Sequence, residues 1–494
     1  MLYDLLIIGG GINGTAIARD AAGRGLSVCL CERDDLASHT SSASTKLIHG
    51  GLRYLEHYEF RLVRESLIER EVLLQAAPHI IRPLRFVLPY DKGLRPRWML
   101  RLGLFLYDHI GGRKLLPGTK TVSLKKPPHK GVLESRLRTG FEYSDCWVED
   151  ARLVVLNALD AHERGADIRI HSEVTNLKAT RTGYSASVRG AEGRQETLKA
   201  KAVVNAAGPW VDAVEGLLKH GQNASELRLI KGSHIVTKRL FAGDHAYIFQ
   251  NADGRIVFAI PYEQDFTLIG TTDVPYDHAE GRPQASQAEI DYLCAAVSEY
   301  LAVDVTAQDV VWTYSGVRPL YDDHQAEASE VTRDYVLDME EPVEGAPFMS
   351  VYGGKITSSR KLADHALRKF ADYFPDCGPS WTETASIPGG EIDKGDLATL
   401  VDELQTQYPH VTQAQCVRLA RLYGTRSHAI LATGDLGQVF GDVLSEAEAR
   451  YLVAHEWARN AEDILWRRTK AGLHMRESER QAFTRWFEKT ALCP

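Results

Sequence analysis

The residues with the clearest chemical purpose lie at the start of the chain. Gly9, Gly11 and Gly14 stand in a Gly-x-Gly-x-x-Gly spacing after the apolar run Leu5 to Ile8, and Glu32 ends a second apolar run from Leu26. Such a turn brings backbone N–H groups and a helix N-terminus against a pyrophosphate, while the acid accepts hydrogen bonds from a ribose. Gly9 permits the tight turn, Gly11 the approach to phosphate and Gly14 close helix packing. A carboxylate at Glu32 repels a 2′-phosphate, so FAD or NAD is favoured over NADP, and the N-terminal position leans toward FAD.

Three cations sit beside other glycine turns: Arg53 after Gly50 and Gly51, Arg318 after Gly316, and Lys355 after Gly353 and Gly354. Converging cations hold a small anion, and guanidinium forks match phosphate or carboxylate oxygens. Taken singly, each also fits a surface ion pair. His49, His109 and His234 are the histidines considered. A histidine beside a flavin takes a hydroxyl proton while hydride leaves carbon. His234 is the candidate base, His49 reads more as a cofactor contact, and His109 carries little. Any of them alone also fits a structural role.

The elements that must position these groups follow from periodicity. Strand, glycine turn, helix and strand fill the first 32 residues. Tyr58 to Gln75 and Asp150 to Arg164 read as helices, Asp167 to His171 and Lys201 to Ala207 as strands. Residues 227 to 350 are rich in strand signals. A helix opens at Val351-Tyr352-Gly353-Gly354 and runs to about Phe374. Beyond Gly390 the pattern is almost entirely helical, with Ser445 and Glu448 forming a capping box. From Arg82 to Leu116 basic residues alternate with Trp98, Met99, Leu102, Leu104, Phe105, Leu106 and Tyr107, a pattern shared by helices lying in a membrane interface and by buried helices with snorkelling arginines. Three parts result: a Rossmann-like α/β nucleotide domain (1–55, 145–215 and 350–388), an interleaved β-rich substrate domain (56–144 and 216–349), and a helical C-terminal domain (389–494).

Bulk properties bound the rest. The chain has 494 residues, 44% hydrophobic and 25% charged, with a net charge of −8, which argues against a nucleic-acid partner. Seven cysteines show no metal spacing and suit a reducing compartment, so no metal is expected. Cys29 and Cys31 read as small buried residues of one strand face. No signal peptide and no membrane-spanning run is expected.

Longer strings carry a family resemblance. Ile7 to Gly14, Ser41 to Leu55, Phe141 to Trp147, Leu229 to Val236, Gly270 to Asp273, Trp312 to Pro319, Tyr352 to Thr357 and Trp466 to Gly472 together resemble the bacterial, aerobic, FAD-dependent glycerol-3-phosphate dehydrogenases, over essentially the whole chain. The resemblance implies a fold like that of the glycine- and D-amino-acid-oxidase flavoproteins. It implies oxidation of glycerol 3-phosphate to dihydroxyacetone phosphate with electrons passed to membrane quinone, peripheral attachment to the cytoplasmic side of the inner membrane, and a homodimer. A peroxide-forming oxidase using O2 is the alternative; an RNA-modifying flavoprotein is disfavoured by the acidic charge. By resemblance, Gly9, Gly11, Ile12, Asn13, Gly14, Glu32, Arg33, Ser42, Thr45, Lys46, Leu47, His49, Val174, Gly208, Gly354, Lys355 and Thr357 contact FAD. Arg53, Tyr54, His234, Arg318 and Lys355 line the substrate site, with His234, Arg318 and Lys355 catalytic. Either His234 is the base or Arg318 stabilises the developing alkoxide. Thr45 and Ser358 stand where the family pattern has Ser and Thr.

Overall fold

The computed structural model describes residues 2–91, 95–219, 227–321, 334–343, 346–432 and 434–490; the side chains of Arg53, Glu56, His57, Lys219 and Ala279 lie outside that description. The chain opens with β1 (Leu2–Ile8), α1 (Ile12–Gly23) and β2 (Val28–Cys31). Helices α2 (Phe60–Ala76), α3 (Arg97–Ile110) and α4 (Asp150–Glu163) follow. Then come the long strands β3 (Gln195–Asn205), β4 (Leu227–Lys238), β5 (Val310–Tyr321) and β6 (Ala346–Tyr352), and helix α5 (Ser359–Lys369).

The first sheet sets β6, β3, β1, β2 and Asp167–Arg169 side by side and parallel. Residues Leu5 to Ile8 are buried on both faces, which is why this strand reads as an unbroken apolar run. Helices α1, α4 and α5 cover one face through Ala16, Ile17, Val155, Ala158, Leu362 and Ala366. The hairpin Glu173–Thr180 and Gly183–Arg189 extends from β3. Val336–Val343, assigned to the second domain from sequence, pairs with β6 and completes this sheet. Cys29 and Cys31 are both buried, their sulfurs 4.0 Å apart on one strand face.

The second sheet is antiparallel at its centre. β4 lies between β5 and Phe266–Gly270, so residues of β4 face partners on both sides. The segment 82–116 divides into a strand, Ile81–Pro89, and helix α3. Leu104 and Tyr107 bury the inner side of α3. Its other side leaves Trp98, Met99, Leu102, Phe105 and Leu106 exposed, Trp98 at 65%. Among the described residues no helix is long and apolar enough to cross a membrane.

The C-terminal helices enclose their own core around Leu404, Leu419, Tyr423, Leu452 and Phe483. Ser445 caps Glu446–Glu456 by accepting from the Glu448 N–H at 3.2 Å. The Glu448 carboxylate instead accepts from Arg418 and from Tyr423 Oη, so half of the expected capping box forms. Two buried ion pairs tie this region to the rest of the chain: Arg152 of α4 with Glu456, and Arg468 with Asp35, where Nη1 and Nη2 donate at 2.5 and 2.7 Å. Arg467 adds a third bond to Asp35 at 2.7 Å. Removing one member of a buried pair leaves the other charge without its partner. Arg468→Met is therefore expected to destabilise the protein by about 3–5 kcal/mol, read as a lowered urea midpoint at unchanged slope.

Candidate active site

A cleft runs along the carboxyl ends of β1, β2, β3 and β6, lined by Gly9 to Asn13, Glu32, Arg33, Val174, Gly208 and Gly354, the place where open α/β sheets take their ligands. Gly14 lets α1 lie against the preceding turn: a Cβ there would stand 2.0 Å from the Gly9 carbonyl oxygen. Gly11, at the N-cap of α1, has no side chain with which to cap the helix, leaving N–H groups of the first turn beyond Ile12 to an anion. Ser41, which the sequence reading did not single out, accepts from the Ile12 N–H at 3.0 Å.

Glu32 is buried, and its two oxygens accept from the Gly10 and Asp34 N–H groups at 2.6 and 2.8 Å. Burial pushes its carboxyl above the usual range, yet the unused lone pairs remain for ribose hydroxyls. Arg33 stacks over Trp210 with 4.0 Å from guanidinium carbon to ring centre. The Asn13 amide donates to the Gly353 carbonyl at 3.0 Å, which joins the first glycine turn to the last. The turns at Gly9, Gly208 and Gly354 thus converge on one cleft, and its donors, acid and length fit an adenine dinucleotide.

Beyond the cleft, residues 42–49 form the next wall. Lys46 is fully buried, its Nζ donating to both oxygens of Asp150 at 2.7 and 2.8 Å and to the Ser42 carbonyl at 3.1 Å. Its charge is spent on holding this loop against α4. Leu47 pairs with Trp147 in a short bridge to the second sheet. The His49 N–H donates to Thr357 Oγ1 at 3.2 Å, so residues from both ends of the nucleotide domain meet here.

His234 lies on β4 opposite Tyr314 of β5. The two rings stack at 4.7 Å and 15°. Nε2 is 2.9 Å from Thr45 Oγ1, and Nδ1 is buried with no hydrogen-bond partner among the described residues. Gly270 makes room for the ring, since a Cβ there would come within 2.1 Å of His234 Cδ2. Burial holds the imidazole well below its ordinary pKa, and the charges of Arg318 and Lys46 lower it further. The ring is therefore neutral at neutral pH and able to accept a proton.

Arg318 sits four residues beyond Tyr314 on the same face. It donates to Asp273 Oδ1 at 2.5 Å and to the Thr272 carbonyl at 2.8 Å. Asp273 belongs to the Gly270 to Asp273 string noted in the sequence, which had suggested no role for it. Lys355 Nζ lies 3.9 Å from the centre of the Tyr54 ring. Of the five residues expected to line one substrate site, Tyr54 and Lys355 are in contact and the charge of Arg318 is felt at His234, while the side chain of Arg53 is outside the described residues. His109 stands apart, exposed on α3 with Nδ1 against the Phe105 carbonyl at 2.7 Å.

Residues 4–360 match the family described as FAD dependent oxidoreductase, and residues 380–490 match the C-terminal domain of alpha-glycerophosphate oxidase. The chain belongs to the FAD-dependent oxidoreductases. This flavoprotein is 50% identical to D-erythritol 1-phosphate dehydrogenase of Brucella abortus, over 99% of this chain and 98% of that one. It is 47% identical to the aerobic glycerol-3-phosphate dehydrogenase of Escherichia coli, over 98% and 97%. The solved glycerol-3-phosphate dehydrogenase of Bacillus halodurans, complexed with FAD, superposes with a TM-score of 0.75 at 26% identity, covering 99% and 94%. The cofactor of the family is thus FAD, one of the two that the glycine turn and Glu32 allow and the one toward which their N-terminal position leans. Gly14→Ala would drive a methyl group into backbone; the variant is expected to purify colourless, with the flavin absorbance near 450 nm lost, or to fail to fold.

Proposed function

We propose that this flavoprotein oxidises sn-glycerol 3-phosphate to dihydroxyacetone phosphate and delivers the electrons to membrane quinone. The observation that carries the reading is His234, a buried imidazole whose Nδ1 has no hydrogen-bond partner among the described residues and which burial, with the charge of Arg318, holds neutral. Its relatives at about half identity act, by their names, on phosphates of small polyols. Bound FAD would accept the hydride from the carbinol carbon. The chain's own residues do the rest. His234 takes the hydroxyl proton, Arg318 steadies the oxygen as the C=O bond forms, and Lys355 with Tyr54 closes the end of the site that holds the phosphoester. Positive charge from Lys355 near the cofactor also favours its reduced, anionic form.

The Brucella relative supports a second substrate, D-erythritol 1-phosphate, which presents the same phosphate and the same neighbouring secondary hydroxyl on a longer chain. An anaerobic titration separates the two: the substrate bleaches the flavin without NAD, and the ratio of kcat/KM values ranks glycerol 3-phosphate against erythritol 1-phosphate. A flavin that stays oxidised with both removes the reading. Peroxide released at the rate of turnover would replace quinone with O2.

The apolar outer face of α3 supports attachment to a membrane surface. Trp98, Met99, Leu102, Phe105 and Leu106 are exposed together on one short helix, with exposed Arg97 and Arg101 at their edges. Such a helix lies in the headgroup region, apolar side down. Charge reversal at Arg97 and Arg101 is expected to weaken binding to anionic vesicles by about 1 kcal/mol per residue, and Trp98→Ser with Phe105→Ser to abolish it. Cosedimentation with vesicles reads both, and unchanged binding would assign α3 to a protein contact.

A further inference from the structure

We propose that Thr45 is the positioning residue of the base: its hydroxyl oxygen accepts the Nε2 proton of His234 and so leaves Nδ1 bare to take the proton of the substrate hydroxyl. The proposal rests on the reading of His234 as base and goes beyond it, by fixing which nitrogen reacts and what selects it.

The geometry leaves the ring little choice of position. One face stacks on Tyr314, whose hydroxyl donates to the Ser44 carbonyl at 2.8 Å. The Gly270 backbone lies so close to Cδ2 that even a methyl group would not fit. Nε2 meets Thr45 Oγ1 at 2.9 Å, and this is the only hydrogen bond of that hydroxyl among the described residues. Nδ1 is then the atom left without a partner in a buried setting. A buried polar atom without a partner carries a desolvation cost that a ligand relieves when it supplies the missing group. A substrate O–H is such a group.

A neutral imidazole has one donor and one acceptor nitrogen. If Nε2 carries the proton, Thr45 accepts it and Nδ1 can act as base. If Nδ1 carries it, Thr45 donates and the ring has no free lone pair for the substrate. Proton transfer balances only in the first case: the hydroxyl proton passes to Nδ1, the carbinol hydrogen leaves as a hydride that bound FAD would accept, and the carbon–oxygen bond becomes a carbonyl. The imidazolium then keeps its Nε2–H bond to Thr45, a charge-assisted bond that strengthens as the proton arrives. This compensates in part for the charges facing the ring. Arg318, itself paired with Asp273, and Lys46, paired with Asp150, both oppose the cation.

The acceptor role of Thr45 and the tautomer of the ring are tested by separate measurements. In Thr45→Val the hydroxyl is lost at nearly constant volume. Under the proposal the imidazolium loses an acceptor, so the acid limb of the pH profile for flavin reduction moves to lower pH. The limiting rate falls on the order of tenfold to a hundredfold, while KM for glycerol 3-phosphate changes little. Thr45→Ser restores both rate and limb. A limb displaced to higher pH means that Thr45 stabilises the neutral ring more than the imidazolium, and overturns the proposal; so does an unchanged rate, or a raised KM with kcat intact. The ring-nitrogen shifts of His234 in 15N-histidine-labelled wild-type holoenzyme, assigned by their loss in His234→Gln, give the tautomer without recourse to a Thr45 variant. An Nε2–H pattern is expected and an Nδ1–H pattern refutes. If wild type fails to reduce its flavin with glycerol 3-phosphate, the proposed function falls, and the nitrogen shifts still decide the tautomer.

Discussion

The site depends on one buried ion pair. Lys46 and Asp150 have side chains 0% and 1% exposed. Burying two charges is favourable only when nearly every donor and acceptor is matched. Asp150 meets that condition: it accepts from Lys46 Nζ, from Ser44 Oγ at 2.8 Å, and from the Ala151 N–H at 2.8 Å. The pair therefore fixes the loop Ser42 to Lys46 against the first turn of α4. From that loop, Ser44 offers its carbonyl to Tyr314 and Thr45 its hydroxyl to His234. Rigid loop, stacked tyrosine and buried imidazole form one chain of contacts that begins at this ion pair. Burial, then the charge of Arg318, and last that of this lysine keep the imidazole unprotonated.

Local features were legible in the sequence and long-range ones were not. The glycine turn, Glu32 and α1 lie within 32 residues of each other, and their order follows from spacing alone. Helix α2 begins and ends close to where its apolar stripe does. By contrast, Lys46 looked like a flavin-side cation because its partner is 104 residues away. Asp150 looked like a helix start, and serves as one while also holding the lysine. The Arg318 contact with Asp273 and the His234 stack on Tyr314 depend on the register between β4, β5 and their neighbours, which no single stretch of sequence encodes. The helix expected at Val351 opens at Ser359, because Ala346–Tyr352 is drawn into the sheet beside β3 and the two glycines after it turn the chain. The segment 82–116 blended a strand and a helix into one compositional signal; only the helix keeps an apolar face in solvent.

The two sheets divide the labour. The parallel sheet supplies the cleft for a long cofactor at its strand ends, while the antiparallel sheet presents His234 and Arg318 from neighbouring strands. Residues 42–49 cross from one to the other, with Leu47 already hydrogen-bonded into the second sheet. A small shift between the sheets would therefore move His234 relative to the cofactor cleft, and the fully buried pair under the crossing loop resists such a shift.

The bond between Asp35 and Arg468 has a consequence for how the protein is made. Asp35 follows Glu32 by three residues, in the segment that backs the nucleotide cleft, and its buried partner is 433 residues further along. A ribosome adding about 5–20 residues per second takes roughly 20–90 s to synthesise that stretch. For all of that time the opening strand–turn–helix unit exists without its outer clasp. The cradle assembled first is thus clasped only after residue 468 has been made.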